Sequence, residues 1–301
     1  MKRERHCRPN GKDRFYKAGQ EETVWIVFYI IANELKDIGY QITQEIQTYI
    51  EENGKKCIVA TKDAEGHIVP GTVPQGIECA IVLGGDGTLI RAARELKEYH
   101  IPLIGVNMGT LGYLTEVELP NCRRALDQLF SEKPDIEQRM MMYGSINGCV
   151  GHVAMNDVVI TRDGGLWVVH FRVYVNGTLL NSYLADGIIV STPTGSTGYN
   201  LSAGGPVVEP TASMFVITPI CSHALNASSI VLSAEDTIEI EVCEGRYGRE
   251  EHALVTFDGA DTERLHSNDR VRINKARETV RLVKLSKESF MKTMREKMKG
   301  N

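Results

Sequence analysis

Three glycines in four residues, Gly84, Gly85 and Gly87, bracket Asp86 and run into Thr88. Without Cβ atoms such a stretch turns sharply and brings backbone N–H groups close to an anion such as a phosphate. Thr88 is placed to cap the helix that follows, whose positive end faces the same spot. A carboxylate in this company would repel phosphate, so Asp86 calls for another role. It could accept a proton from a sugar hydroxyl, or share Mg²⁺ with a phosphate. The plainer alternative is a tight strand-to-helix turn in which the aspartate bonds its own backbone. The chain has no G-x-x-x-x-G-K-[ST] run, so this is not a Walker loop.

A second concentration lies at residues 186–206. Asp186 and a short apolar strand (188–190) lead into five hydroxyls in seven residues: Ser191, Thr192, Thr194, Ser196 and Thr197. Hydroxyls and bare amides suit a polyphosphate or a ribose, and Tyr199 could lie against a purine face. The alternative is a polar linker. Asn156-Asp157, ahead of the apolar run 158–160, could serve a base edge and a ribose diol, although the pair is also an ordinary turn. The eight histidines are dispersed; His223, after the apolar run 215–220, is the one to watch, with a structural role the plainer reading.

These residues need elements to position them. Residues 24–32 read as a buried strand, and Ile42, Ile46, Tyr49 and Ile50 recur at helical spacing before Asn53-Gly54. Further strands are predicted at 56–60, 79–83 and 101–106, with a helix over about 88–99 carrying Leu89, Ile90, Ala93 and Leu96 on one face. Alternation of this kind implies right-handed crossovers and a parallel sheet. After a helix near 123–130 the period falls to two. Strands are predicted at 166–175, 237–242, 253–257, 270–274 and 280–285, and a short basic helix at 289–299. The fold class expected is an α/β N-terminal domain with a Rossmann-like parallel sheet, followed by a mostly-β, sandwich-like domain. The divisions fall at 1–20 (a disordered basic extension), 21–134, 135–285 and 286–301, a helical tail docking back on the N-terminal domain.

Composition narrows the function. At 301 residues the chain is long enough for two domains, and 42% hydrophobic with 24% charged residues is ordinary for a globular core. The formal net charge is −5, although residues 1–20 hold seven basic and two acidic side chains. So acidic a body argues against nucleic-acid binding, which depends on neutralising phosphates. The longest strongly apolar run, 24–32, is too short to span a bilayer needing about 20 residues, and residues 1–20 lack the apolar centre of a secretory signal. Seven scattered cysteines without a C-x-x-C pair read as reduced thiols in the cytoplasm.

Together these residues resemble the NAD kinase family. The Gly-Gly-Asp-Gly-Thr turn is shared with diacylglycerol and sphingosine kinases and phosphofructokinases. The stretch 186–206 is more specific, as are 101–107 with Gly112-Tyr113-Leu114, the Asn156-Asp157 pair, and 217–223. The resemblance covers the chain from about Val24 onward. It implies transfer of the γ-phosphoryl group of ATP to the 2′-hydroxyl of the adenosine ribose of NAD, with Mg²⁺ or another divalent metal, in a homodimer or homotetramer. By the same resemblance Asp86 would be the general base, while Gly84 and Gly85 would cradle the ATP phosphates. Gly87, Arg91, Asn156, Asp157, Asp186, Thr197, Gly198, Tyr199, Asn200, Leu201, Ser202 and Cys221 would hold NAD, beside Asp86. Departures from the family pattern are Gly198 for alanine, Leu184 for a basic residue, Ala260 for glutamine and Ser222 for proline. A lipid or sugar kinase, or a silent NAD(P)-binding sensor, would be the rival readings.

Overall fold

A computed structural model describes residues 27–109, 112–149, 151–165, 167–224, 228–286 and 290–298. The basic extension 1–20 and residues 24–26 of the first predicted strand lie outside the described residues.

Four parallel strands form the N-terminal sheet in the order Lys56–Val59, Val27–Ala32, Cys79–Gly84, Leu103–Asn107. Their continuous apolar runs follow from burial on both faces. Phe28, Ile30, Ile81 and Leu83 pack against Ile46, Ile50, Leu126 and Leu129 of the helices Gln41–Glu52 and Cys122–Ser131. Tyr29, Ile31, Ala80 and Val82 face Leu89, Ala92 and Ala93 of the helix Asp86–Glu95.

The sheet does not stop at the predicted domain division. One long strand, Arg270–Lys284, pairs in parallel with Leu103–Asn107 at Leu282 and antiparallel with Asp135–Ile146. The sequence reads this region as two strands, 270–274 and 280–285. Pairing with one neighbour on either side of an irregularity between Lys275 and Thr279 joins them into one. The strands Ile238–Val242, Val169–Val175 and Thr178–Ala185 extend the same sheet.

A second, antiparallel sheet follows the order Ile230–Ser233, Met214–Ile220, Gly187–Ser191, Asp157–Arg162, His252–Phe257, Asp261–His266. The two sheets close on Phe171, Ile240, Ile273, Phe215, Ile188 and Phe257, all fully buried. The mostly-β half is therefore a sandwich, one of whose layers continues into the α/β half.

Candidate active site

The Gly-rich turn stands where the strand Cys79–Gly84 gives way to the helix Asp86–Glu95, at the carboxyl end of the parallel strands, where open α/β sheets bind ligands. A cleft of about 670 Å³ opens there, with Gly85, Gly87 and Arg91 on one wall and His152, Asp258 and Asp261 on the other. Arg94 ties the walls together. Its Nε donates to the Val153 carbonyl at 3.2 Å and lies 3.7 Å from Asp258, and its guanidinium pairs with Asp261.

Gly85, not Thr88, occupies the N-cap position, and Asp86 is the first helical residue. Thr88 falls one turn too far in to cap. Its hydroxyl instead accepts from Asn33 Nδ2 at 3.1 Å, fastening the turn to the end of the neighbouring strand.

The Asp86 carboxylate is gripped by the segment after the strand Leu103–Asn107. Oδ2 accepts the Tyr113 amide at 2.6 Å, and Oδ1 accepts those of Leu114 and Thr115 at 3.1 and 3.3 Å. A carboxylate offers about four acceptor positions, so one is left, on Oδ2. Buried acceptors without a partner stand close by: Asn107 Oδ1, in register with Gly84, and Thr115 Oγ1.

A second carboxylate uses the same device. Asp258, at φ 53°, accepts the amides of Met155, Asn156 and Asp157 at 2.7, 2.7 and 3.1 Å. This fixes the predicted Asn156-Asp157 pair from a hairpin about 100 residues away, and the Asn156 Oδ1 is buried without a partner. Such unpaired acceptors are uncommon in folded proteins. Burial, reinforced by Asp258, pushes the Asp157 carboxyl up to about 7. Burial also raises Asp258, against the pull of its three amides and Arg94.

The sequence pattern of the ATP-NAD kinase N-terminal domain matches residues 28–133, and that of the C-terminal domain matches residues 155–285. NAD kinases of Lachnoclostridium phytofermentans and Agathobacter rectalis are each 46% identical, over 90% and 91% of this chain and 98% of theirs. The chain belongs to the NAD kinase family. Its fold is also that of a yeast NADH kinase complexed with NADH (TM-score 0.81, 20% identity, covering 93% of this chain and 89% of that one). An Archaeoglobus fulgidus NAD kinase in complex with ATP gives a TM-score of 0.73 at 23% identity, covering 91% and 99%.

The NAD kinase signature at 186–206 divides into two parts with different surroundings. Four of the five hydroxyl residues are buried: Ser191, Thr192 and Ser196 bond to backbone carbonyls, and Thr194 Oγ1 accepts from Arg139 at 3.3 Å. Thr192 Oγ1 donates to the Met155 carbonyl at 2.6 Å, and Ser196 Oγ to Pro193 at 2.7 Å. Gly195 packs on Asn156, where a Cβ would lie 2.1 Å from the carbonyl oxygen. Asn200 is also fully buried, donating to the carbonyls of Ser196 and Pro206 and accepting from Thr218. These residues shape the loop. Tyr199 and Leu201, on the short helix Tyr199–Ser202, are the exposed large side chains.

Asp186 and Cys221 stand elsewhere. Gly187 pairs with Thr161 and Ile220, whereas Ser191 pairs with Asp157. Asp186 is thus a strand's length, roughly 17 Å, from the Asn156-Asp157 end. Its Oδ1 accepts Arg162 Nε at 3.0 Å, and Cys221, exposed at φ 46°, adjoins it.

The sequence reading missed Lys36. A turn over Asn33–Asp37 leaves the first strand, pinned by the buried Asp37 accepting the amides of Ile42 and Thr43 at 2.9 Å. The turn holds the exposed Lys36 ammonium over the Gly-rich segment, 3.3 Å from where a Gly85 Cβ would be and 3.2 Å from that of Gly109. An Asn-x-x-Lys directly after a buried parallel strand was the available signal.

Proposed function

We propose that this chain transfers the γ-phosphoryl group of ATP to the 2′-hydroxyl of the adenosine ribose of NAD, giving NADP. In this reading Asp86 aligns the hydroxyl and takes its proton. The observation that carries it is the grip of three backbone amides on Asp86 at a helix N-terminus, which orients the carboxylate and leaves one acceptor position on Oδ2. Phosphoryl transfer asks a protein mostly for positioning and charge stabilisation. Gly84, Gly85 and the Lys36 ammonium supply these to the ATP phosphates.

Mg²⁺ carried by ATP would neutralise phosphate charge. It takes oxygen donors, and Asn107 Oδ1 with Thr115 Oγ1 are unpartnered oxygens of that kind near the turn. On the acceptor side, Gly87, Arg91, Asn156, Asp157, Thr197, Gly198, Tyr199, Leu201 and Ser202 form the NAD surface. Asn200 works by holding that loop.

Asp186 and Cys221 serve the same ligand across an interface between copies of the chain, a homodimer or homotetramer. The edge strand Thr178–Ala185 supports this, because Leu179, Leu180 and Leu184 are exposed along it. Exposed apolar edges are normally covered. The cytoplasm is the proposed location. The six described cysteines are unpaired, and no described helix is long and apolar enough to cross a membrane.

The test is NADP formation from NAD and Mg-ATP by wild type and Asp86→Asn in one coupled assay. Turnover should fall about 10²–10⁴-fold in the variant. A near-normal rate would remove Asp86 from the chemistry. Wild type that binds NAD yet makes no NADP would overturn the kinase reading in favour of a silent sensor.

A further inference from the structure

Away from the cleft, Glu250, His252 and His266 bring their donor atoms within 4.8 Å of one another. The two histidines are direct register partners on the antiparallel strands His252–Phe257 and Asp261–His266. Their ring centroids are 5.0 Å apart at 82°, and Glu250 Oε1 is 3.2 Å from His266 Nδ1. We propose that this trio binds a divalent transition-metal ion of the zinc type, with the remaining coordination completed by water.

Zinc bonds to imidazole nitrogen and carboxylate oxygen are about 2.0–2.2 Å long, so donors around one ion stand roughly 3.4 Å apart in a tetrahedron. The Glu250–His266 pair is already at that spacing. All three side chains are exposed and free to turn about χ1 and χ2 to close the remaining gap. Two imidazoles with one carboxylate are the nitrogen-and-oxygen set that suits zinc, copper or nickel rather than magnesium. The local charge favours a cation. Among the described residues Glu250 has no Lys or Arg ion-pair partner, while Arg249 faces Glu251 at 3.5 Å and Arg264 faces Asp163 at 3.8 Å.

The position gives such an ion a structural task. Asp261–His266 is the outer strand of its sheet and pairs only with His252–Phe257 among the described residues. The closed end of this hairpin carries Asp258 and Asp261 into the cleft, while the two histidines sit at its open end. A bound ion would staple the open end and hold the outer strand in register. This inference does not depend on the reaction assigned to the cleft.

The experiment uses the full chain, stripped with a chelator and dialysed against micromolar Zn²⁺ in a buffer holding the thiols reduced. Metal content is read by atomic absorption. Wild type should retain one more zinc per chain than His252→Ala or His266→Ala, whose affinity should fall at least tenfold. Zinc should also slow amide exchange over residues 261–266 in wild type and not in the variants, while NADP formation stays the same and reports that the variants are folded. Equal zinc content in all three proteins, or unchanged exchange in wild type, overturns the site.

Discussion

Gly112 lies so close to Asp86 that a Cβ at position 112 would stand 1.8 Å from the carboxylate Oδ1. Only a hydrogen fits there, and the amides of the next three residues can then wrap the carboxylate. Gly112→Ala should push the carboxylate out of its cradle. Overpacking of this kind costs about 1–3 kcal/mol. Thermal unfolding should drop by several degrees and kcat by tenfold or more, with KM for ATP nearly unchanged. A variant with normal kcat would show that the cradle is not needed for turnover.

Lys36 is placed to meet donor phosphates, with its ammonium over Gly85 and Gly109. Loss of one charge-assisted contact is worth about 1.5–3 kcal/mol, or roughly 10–100-fold. Lys36→Ala should therefore raise KM for ATP by that factor and leave KM for NAD within about twofold, and Lys36→Arg should recover part of the loss. Equal effects on both substrates would mean that Lys36 supports the turn rather than the phosphates.

Asp157 makes stability depend on pH. Burial, with Asp258 beside it, lets the folded chain hold this proton up to about 7, against an ordinary value of 3.8. Between those limits the unfolded chain binds fewer protons. Stability should therefore fall as pH rises from about 4 to about 7, by up to ~1.4 kcal/mol per unit, and level off above. Urea unfolding of wild type and Asp157→Asn at pH 5 and pH 7 isolates the contribution. The difference between the proteins should shift in the variant's favour at pH 7, and an unchanged difference would contradict the assignment.

Leu180 and Leu184 lie on the exposed edge strand next to Asp186. If copies meet along this edge, Leu180→Glu with Leu184→Glu should reduce the mass measured by light scattering to that of one chain. KM for NAD should rise in step, because Asp186 and Cys221 would lose their ligand. Unchanged mass would place the interface elsewhere.

Much of the cleft was legible because its parts are local. Gly84, Gly85 and Gly87 follow an apolar strand and precede an amphipathic helix within about a dozen residues, so composition and period alone put Asp86 at a helix N-terminus above a parallel sheet. The same holds for the change of period that announces the β-rich half. The role of Thr88 was misjudged by a single turn of helix, a choice between neighbouring caps that spacing does not resolve. Which of the hydroxyls of 191–197 face a ligand is not legible in composition, because composition does not say which way a side chain points. Burial of four of them gives each a protein partner, backbone carbonyls for Ser191, Thr192 and Ser196 and Arg139 for Thr194.

By itself the chain's order of residues determined the two kinds of architecture, the Gly-rich turn and the membership of one enzyme family, since each rests on patterns within short windows. The tertiary structure alone decided what grips the site. Asp86 is held by amides 27–29 residues away, and Asn156 by a carboxylate 102 residues away. The strand Arg270–Lys284 joins the two halves, although its pairing is set by Leu103–Asn107 and Asp135–Ile146. Such contacts depend on crossover connections and strand register, which are fixed when whole layers pack. No local spacing encodes them.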